Sequence, residues 1–318
     1  MIDITTQETL PTNGLPKFPA PVQKENAGLS RSALSLILYL LAGYWLLGNL
    51  QSLLLITFVL LLHEAGHFIA MRRVGYRDLG VFFLPLLGAY VSGTKRVITQ
   101  KESAVVLLAG PLPGILLGCL LYVLLKFEHL SYIGPFGVNL MTGVYFLIVL
   151  NGINLLPVYP LDGGQLLNRV FLDEDGLISK LFVIASAVFM SYLAVHYGIY
   201  PLLLIPAGLI IRIWRSSSGK RIEKLLEENG INTEVGYESL PDEDYWRIRQ
   251  ILIEENSSVR SWAADHPSVY APAEEQIQQA VEAQLHRTLI HDLSVSAKVL
   301  ILLIWSSGLI LPGWLWLR

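Results

Sequence analysis

The stretch that decides the fold is QSLLLITFVLLLHEAGHFIAM, residues 51–71, an apolar run that ends in two histidines and a glutamate. Residues 32–62 contain neither a charged residue nor a histidine, and His63, Glu64 and His67 then follow within five positions. An ionisable side chain at the centre of a bilayer costs about 2.5–3.5 kcal/mol on insertion scales, so such groups are candidates for function. The pattern predicts a membrane-spanning helix that carries a chemical site.

The spacing of these three residues is that of a metal site. His63 and His67 lie on one face of a helix, about one turn apart, and two imidazoles so placed can hold one Zn²⁺. Glu64, between them, can serve as general base toward a water that the metal activates. The motif therefore predicts a membrane-embedded zinc hydrolase.

Asp162 is the candidate for a third zinc ligand, which a catalytic zinc site normally has. It is the one acidic residue that we expect at membrane depth outside the HEAGH motif, and it directly follows a predicted span. Pro160 and Gly163 flank it, and such residues break a helix and let the backbone approach a metal closely. An unpaired carboxylate at this depth would be costly. A site made of two histidines and one aspartate, with Glu64 as base, is chemically consistent.

Composition supports an integral membrane protein. Of 318 residues, 53% are apolar and only 15% charged, whereas soluble domains are about 25% charged. Residues 216–295 hold seven Lys/Arg against fifteen Asp/Glu, a local net charge of −8, which leaves +5 for the rest of a chain whose total is −3. The one large polar segment is thus acidic, which argues against nucleic acid as a partner.

The apolar segments predict an all-α polytopic membrane protein with about seven transmembrane helices and a small helical cytoplasmic domain. The predicted spans are 33–49, 51–71, 103–125, 138–157, 177–196, 199–215 and 296–317. Residues 79–94 are apolar but broken by Pro85 and Gly88, so they predict a short re-entrant, β-like segment. Gly110-Pro111 should kink the third span.

These elements predict four regions. They are a disordered polar N-terminal tail (1–31), a six-span membrane domain (32–215) with a catalytic core (51–172), an acidic helical cytoplasmic domain (216–295) and a C-terminal transmembrane helix (296–318). The acidic domain, with predicted helices at 219–229, 242–256 and 273–292, is a candidate docking site for a protein partner.

The basic residues predict the orientation. With the N-terminus in the cytoplasm, the outer connections hold essentially Lys126 and Arg318. The cytoplasmic loops then hold Arg72, Arg73, Arg77, Lys95, Arg96, Lys101, Arg169, Lys180, Arg212, Arg215, Lys220 and Arg221. This asymmetry follows the positive-inside rule and predicts that the HEAGH motif and Asp162 face the cytoplasm.

Three motifs together resemble the site-2 protease family, intramembrane zinc metalloproteases that cleave transmembrane segments of regulatory proteins. They are HEAGH, the Gly-Pro of the third span, and NLLPVYPLDGG at 154–164, which matches the family's Asn-x-x-Pro-x-x-Pro-x-Asp-Gly pattern. LPLLGAYV, residues 84–91, also resembles the family's re-entrant β-region. The resemblance covers roughly residues 51–172.

This resemblance implies roles for five residues. His63, His67 and Asp162 would be zinc ligands, Glu64 the catalytic glutamate, and Asn154 would help to position a substrate strand. The implied substrate is a transmembrane protein within the lipid bilayer. The connection 127–137 is too short for the PDZ-like domain of many relatives, and the acidic C-terminal region does not resemble the nucleotide-sensing module of others.

Other interpretations compete with this one. A catalytically inactive site-2-protease-like scaffold would keep the fold, and a membrane adaptor would use the acidic segment alone. A transporter with broken helices would predict an internal repeat, which the sequence lacks. His129, His196, His266, His286 and His291 are expected to be surface residues, and residues 173–175 a charged helix start rather than a second metal site.

Overall fold

The computed structural model describes residues 15–19, 27–85, 88–95, 97–127, 131–134, 139–172, 176–233, 235–263, 270–285 and 288–317. The chain forms two compact units. Glu25–Ile211 and Leu289–Arg318 form the membrane unit, and Met1–Lys24 and Arg212–Thr288 form the helical domain.

The described residues are mostly helical. The helices are α1 (Ala27–Leu47), α2 (Leu50–Arg73), α3 (Gln100–Ala109), α4 (Pro111–Lys126), α5 (Leu140–Asn154), α6 (Asp162–Leu166), α7 (Leu177–His196), α8 (Leu204–Glu228), α9 (Asp242–Glu255), α10 (Ser257–Ala263), α11 (Glu274–Glu282) and α12 (Val295–Trp316). The strands are β1 (Arg77–Leu84), β2 (Gly88–Thr94), β3 (Val97–Thr99) and β4 (Thr288–Ile290).

Within the described part of the chain, four helical stretches are long and apolar enough to cross a membrane. They are Leu50–Arg73, Gln100–Lys126, Leu177–His196 and Val295–Leu315. Three shorter apolar helices, Arg31–Leu47, Leu140–Asn154 and Tyr200–Ile211, coincide with the remaining predicted spans. A mostly helical integral membrane protein is thus confirmed, whereas the number of seven spans stays a prediction.

Local sequence explains where the central helices begin. The side chain of Asn49 caps α2 by accepting a hydrogen bond from Ser52 N at 3.0 Å. Thr99 and Glu102 form a reciprocal capping box at the start of α3. Pro111 occupies the first turn of α4, where its missing N–H is not needed, and the predicted kink of the third span is therefore a junction between two helices at Gly110.

The predicted β-like segment 79–94 forms an antiparallel hairpin of β1 and β2. Val81 pairs with Val91 and Leu84 with Gly88, whose φ of +108° suits glycine at the turn. Residues 86–87, at the tip, lie outside the described part of the chain. The hairpin packs on α1, where Phe83 N donates to Ser35 Oγ at 3.1 Å.

The helical domain has its own hydrophobic core beneath amphipathic helices. The core residues are Leu226, Ile231, Tyr237, Leu240, Tyr245, Ile248, Leu252, Val259, Ala263, Ala271, Ile277, Val281 and Leu285. The structure differs from prediction at two boundaries: α8 continues from Leu204 to Glu228 through the predicted boundary at 215/216, and the last predicted helix, 273–292, ends at Glu282. Of the predicted disordered tail, residues 15–19 pack against this domain.

Candidate metal centre

Two histidines and an aspartate meet inside the membrane unit. His63 Nε2 lies 3.2 Å and His67 Nε2 3.3 Å from Asp162 Oδ2, and the two Nε2 atoms are 3.1 Å apart. All three residues are buried, at 9% exposure or less. Among the described residues, these three form the one cluster of histidine and carboxylate groups that could hold a metal ion.

Hydrogen bonds fix how both imidazoles are oriented. His63 Nδ1 donates to Asn151 Oδ1 at 2.8 Å, and His67 Nδ1 donates to the carbonyl of Val106 at 2.9 Å. The carboxamide of Asn151 is itself held by its Nδ2, which donates to Leu147 O at 2.7 Å. Because Nδ1 carries the proton in both neutral rings, both Nε2 atoms present lone pairs to the cluster.

The cluster fits Zn²⁺ on chemical and geometric grounds. Asp162 Oδ2 is buried and accepts no hydrogen bond from the described residues, although two ring nitrogens are close to it. Three lone-pair-bearing atoms at such distances repel one another unless a cation lies between them. Zinc bonds of about 2.0–2.1 Å place tetrahedral ligand atoms about 3.3–3.4 Å apart, close to the distances between these three atoms.

Glycines allow the neighbouring helices to approach the two histidines. A Cβ at Gly110 would lie 2.3 Å from His67 Nε2, and one at Gly114 would lie 2.2 Å from Asn151 Nδ2. A Cβ at Gly66 would lie 1.9 Å from the carbonyl oxygen of Ala109. Any side chain at these positions would collide with the site or its support. Gly66 and Gly110 therefore allow α2 to approach α3 and α4, and Gly114 allows α4 to approach α5.

Glu64 lies beside the cluster and under the hairpin. Its side chain is 4% exposed and interacts electrostatically with His63, His67 and Asp162. One hydrogen bond reaches it from the backbone of Val91 in β2, while its Oε2 has no hydrogen-bond partner among the described residues. A buried, unpartnered carboxylate oxygen next to a metal cluster is suited to take and release a proton.

Part of the chain matches a known protein family. Residues 51–143 match the model of peptidase family M50. This part of the chain resembles the core of M50 peptidases. The resemblance to the site-2 protease family is thereby confirmed. Asp162 lies beyond the matched residues, so its place beside the two histidines rests on the structure alone.

Two curated relatives are similar to part of this chain. Stage IV sporulation protein FB of Bacillus subtilis is 33% identical over 135 residues, which cover 42% of this chain and 45% of that protein. A zinc metalloprotease of Methanocaldococcus jannaschii is 26% identical over 136 residues, which cover 42% of this chain and 38% of that protein. The chain thus spans less than half the length of the curated relatives it matches.

A solved structure gives a more distant match. The site-2 protease from Methanocaldococcus jannaschii aligns at 21% identity over 57% of this chain and 84% of that chain, with a TM-score of 0.41.

The loop that carries Asp162 to the two histidines is anchored by two helices. Trp305 of α12 donates its indole N–H to Leu155 O at 2.8 Å, and Ser186 Oγ of α7 accepts from Tyr159 N at 3.1 Å. Gln165 Nε2 closes the turn by donating to Pro160 O at 2.9 Å. These contacts fix the loop so that Asp162, the first residue of α6, faces two histidines that are distant in sequence.

Asn154 and Asn151 occupy different places. Asn154, the predicted substrate-positioning residue, is half-buried at the end of α5 and donates to Leu150 O at 3.2 Å. Asn151, which the sequence analysis did not single out, is 1% exposed and orients His63. The available signal was its position one helical turn before Asn154, on the helix that precedes the Asp162 loop.

The other histidines lie away from the cluster or outside the described residues. His196 is exposed at the end of α7, and His291 Nδ1 lies 3.0 Å from Gln100 Nε2. His129, His266, His286 and the acidic run 173–175 fall outside the described residues.

Proposed function

We propose that this chain is an intramembrane zinc metallopeptidase that hydrolyses peptide bonds in or near transmembrane segments of membrane proteins, as a step of regulated intramembrane proteolysis. One observation supports it above all. Three buried ligand atoms converge with edges of 3.1–3.3 Å inside the M50 core, next to a glutamate whose Oε2 is unpartnered among the described residues.

The roles follow from the contacts of each residue. His63, His67 and Asp162 would hold Zn²⁺, which polarises a peptide carbonyl and makes an attacking water more acidic. Glu64 takes the proton of that water at Oε2 and passes it to the leaving amine. Burial of these groups excludes bulk water, which strengthens the electrostatic interactions in the site.

The hairpin supports the idea that the substrate is bound in an extended form. A transmembrane helix buries its carbonyls in its own hydrogen bonds, so its cleavage requires local unwinding. Unwound backbone inside a bilayer needs new hydrogen-bond partners. β2 pairs with β1, and the backbone of Val91 in β2 also makes a hydrogen bond to Glu64. We place the substrate strand beside β2, with Asn154 helping to position it.

Orientation belongs to the same proposal. The basic residues that end α2 (Arg72 and Arg73) and those around the hairpin contrast with the single Lys126 at the end of α4. By the positive-inside rule, the N-terminus, the metal centre and the helical domain face the cytoplasm.

The test compares wild type with two carboxamide variants of the purified chain. Each is incubated with a panel of labelled single-span membrane proteins, with and without a zinc chelator. Wild type should cleave at least one substrate, and chelation should abolish cleavage. Glu64→Gln should lower the cleavage rate by about 10²–10⁴-fold and retain zinc. Glu275→Gln, at an exposed position of α11, should cleave as wild type does.

Two outcomes would contradict the proposal. Cleavage by Glu64→Gln at the wild-type rate would remove Glu64 from the chemistry. A chain that holds one zinc yet cleaves no member of the panel would favour the inactive scaffold or adaptor.

A further inference from the structure

A short proline-containing segment near the N-terminus is bound by the helical domain. Residues 15–19 read LPKFP, which places Pro16 and Pro19 in a Pro-x-x-Pro spacing. Segments with this spacing favour the extended polyproline II conformation, which makes no internal hydrogen bonds. Their carbonyl oxygens must therefore be satisfied from outside the segment.

Three aromatic side chains supply those donors. Trp246 Nε1 donates to Leu15 O at 3.0 Å, the hydroxyl of Tyr270 donates to Pro16 O, and the hydroxyl of Tyr237 donates to Phe18 O. Domains that recognise proline-rich peptides also bind them in grooves lined by aromatic side chains.

The side chains between the prolines are bound as well. Lys17 Nζ donates to the carbonyls of Glu238 and Leu240 at 2.7 and 2.6 Å and lies 5.7 Å from the centre of the Tyr237 ring. Lys17 N donates to Asp242 Oδ1 at 3.1 Å. The ammonium group is therefore held by two backbone carbonyls and by the face of an aromatic ring.

The ring of Phe18 contributes the apolar contact. It packs edge-on against Tyr270, with ring centroids 5.3 Å apart, and joins the hydrophobic core of the domain. Backbone, cation and apolar ring are therefore all recognised within five residues.

Residues 15–19 occupy a groove whose aromatic side chains are supported by other residues of the domain. Trp246 stacks on Tyr270 with centroids 5.7 Å apart, and the guanidinium of Arg249 lies 5.0 Å from the Trp246 ring centroid. Arg249 is paired with Glu274, which also accepts from the backbone N–H of Ala271, next to Tyr270. Other residues of the domain therefore support Trp246 and Tyr270, two of the aromatic side chains that contact the segment.

We propose that the helical domain is a recognition module for extended, lysine-containing Pro-x-x-Pro peptides. Residues 15–19 are its ligand in cis, and they block the groove until a segment of the same chemistry from another protein displaces them. This binding activity is independent of the peptidase proposal, because it uses none of the metal-centre residues.

The test measures binding of a fluorescein-labelled peptide of residues 13–20 (NGLPKFPA) to the full chain in detergent by fluorescence anisotropy. A tethered ligand competes at an effective concentration on the order of millimolar. Wild type should therefore bind the peptide at least about ten times more weakly than the variant K17E/F18A, whose own segment is disabled. Adding Tyr270→Phe, which removes one hydroxyl donor and keeps the ring, should weaken that binding several-fold.

Controls separate recognition from misfolding. Far-ultraviolet circular dichroism and hydrogen exchange in α9 establish that each variant is folded, and K17E alone serves if the double variant is not. A labelled peptide with glutamate in place of the lysine should not bind. Equal affinity of wild type and the folded, segment-disabled variant, or no binding to that variant, would overturn the proposal.

Discussion

Two buried charged clusters, one in each unit, differ in how completely their polar atoms are paired. In the helical domain, Glu274 accepts hydrogen bonds from Tyr245 and Arg249 at Oε1 (2.6 and 2.7 Å) and from Arg249 and the Ala271 N–H at Oε2 (2.9 and 2.8 Å). In the membrane unit, Asp162 Oδ2 accepts none from the described residues, although two histidine nitrogens lie 3.2 and 3.3 Å from it.

This difference separates a structural charge from a functional one. A buried ion pair whose polar atoms are all bonded needs no further ligand and holds its surroundings in one arrangement. Burial alone would raise the pKa of Glu274, but hydrogen bonds from Arg249, Tyr245 and Ala271 lower it below its usual value. An incompletely paired carboxylate between two lone pairs instead leaves a place for a cation.

Removal of a histidine should have the largest effect. His67→Ala deletes one of the three proposed ligand atoms, so we expect zinc to be lost from the purified chain. The zinc affinity should fall by more than the 10–100-fold that is typical when a residue supporting a metal ligand is changed. Zinc per chain, measured by inductively coupled plasma mass spectrometry, checks this. His196→Ala, at an exposed position of α7, should retain wild-type zinc, and full zinc in His67→Ala would refute the ligand assignment.

Removal of one partner of the buried Arg249–Glu274 pair should destabilise the helical domain and leave zinc binding unchanged. Arg249→Met leaves the carboxylate of Glu274 buried and unpaired, which should lower the opening free energy of α9 by about 3–5 kcal/mol. Hydrogen exchange of α9 amides measures it. Arg247→Met, two residues away in an exposed pair with Glu243, should change the same quantity by less than about 1 kcal/mol.

A double variant sharpens the contrast. Because isosteric apolar replacement of a buried pair is often neutral, R249M/E274L should recover most of the stability lost in Arg249→Met. If the double variant were as unstable as the single one, the pair would contribute more than charge compensation.

The two asparagines of α5 should separate metal binding from substrate binding. Asn151→Leu removes the acceptor that orients His63, so zinc affinity should fall by about 10–100-fold. Asn154→Leu should leave zinc affinity unchanged and raise KM. Zinc titration and cleavage kinetics on both variants check this, and equal zinc affinity in the two would deny Asn151 its orienting role.

The smallest expected effect is the pH dependence of the helical domain. Since the pKa of Glu274 is lowered by folding, its contribution to stability is present above about pH 4.5 and lost as pH falls below it. Burial, together with the bond to Glu274, raises the pKa of Tyr245 above 10, so its contribution is lost as pH rises beyond about 10. Denaturant unfolding across pH measures both limits. The loss of stability at acid pH should be smaller in Arg249→Met than in wild type. An equal loss in the two proteins would contradict this account.

Sequence alone predicts the features that a motif or a helix-breaking residue marks, and it does not predict contacts that only packing creates. The i, i+4 histidines, the Gly110 junction and the 79–94 segment are marked by spacing and helix-breaking residues, and the structure contains each of them. Asn151 has no such mark, because its role exists only once α5 packs against α2.

The contacts of the helical domain are even harder to predict from the sequence. Arg249 and Glu274 lie on separate helices, and neither differs in sequence from a solvated charge. Residues 15–19 have the composition of a disordered tail, since prolines favour both exposed linkers and bound extended peptides. Only the aromatic donors contributed by distant residues distinguish the two.

The placement of the three ligand atoms also has a consequence for the thermal behaviour of the membrane unit. His63 and His67 lie on α2 and Asp162 on α6, so an ion held between them is a cross-link that closes a long loop of chain. A ligand that binds only the folded state adds about 4 kcal/mol when its free concentration is a thousand times its Kd. Zinc supply would then set the melting temperature of the membrane unit.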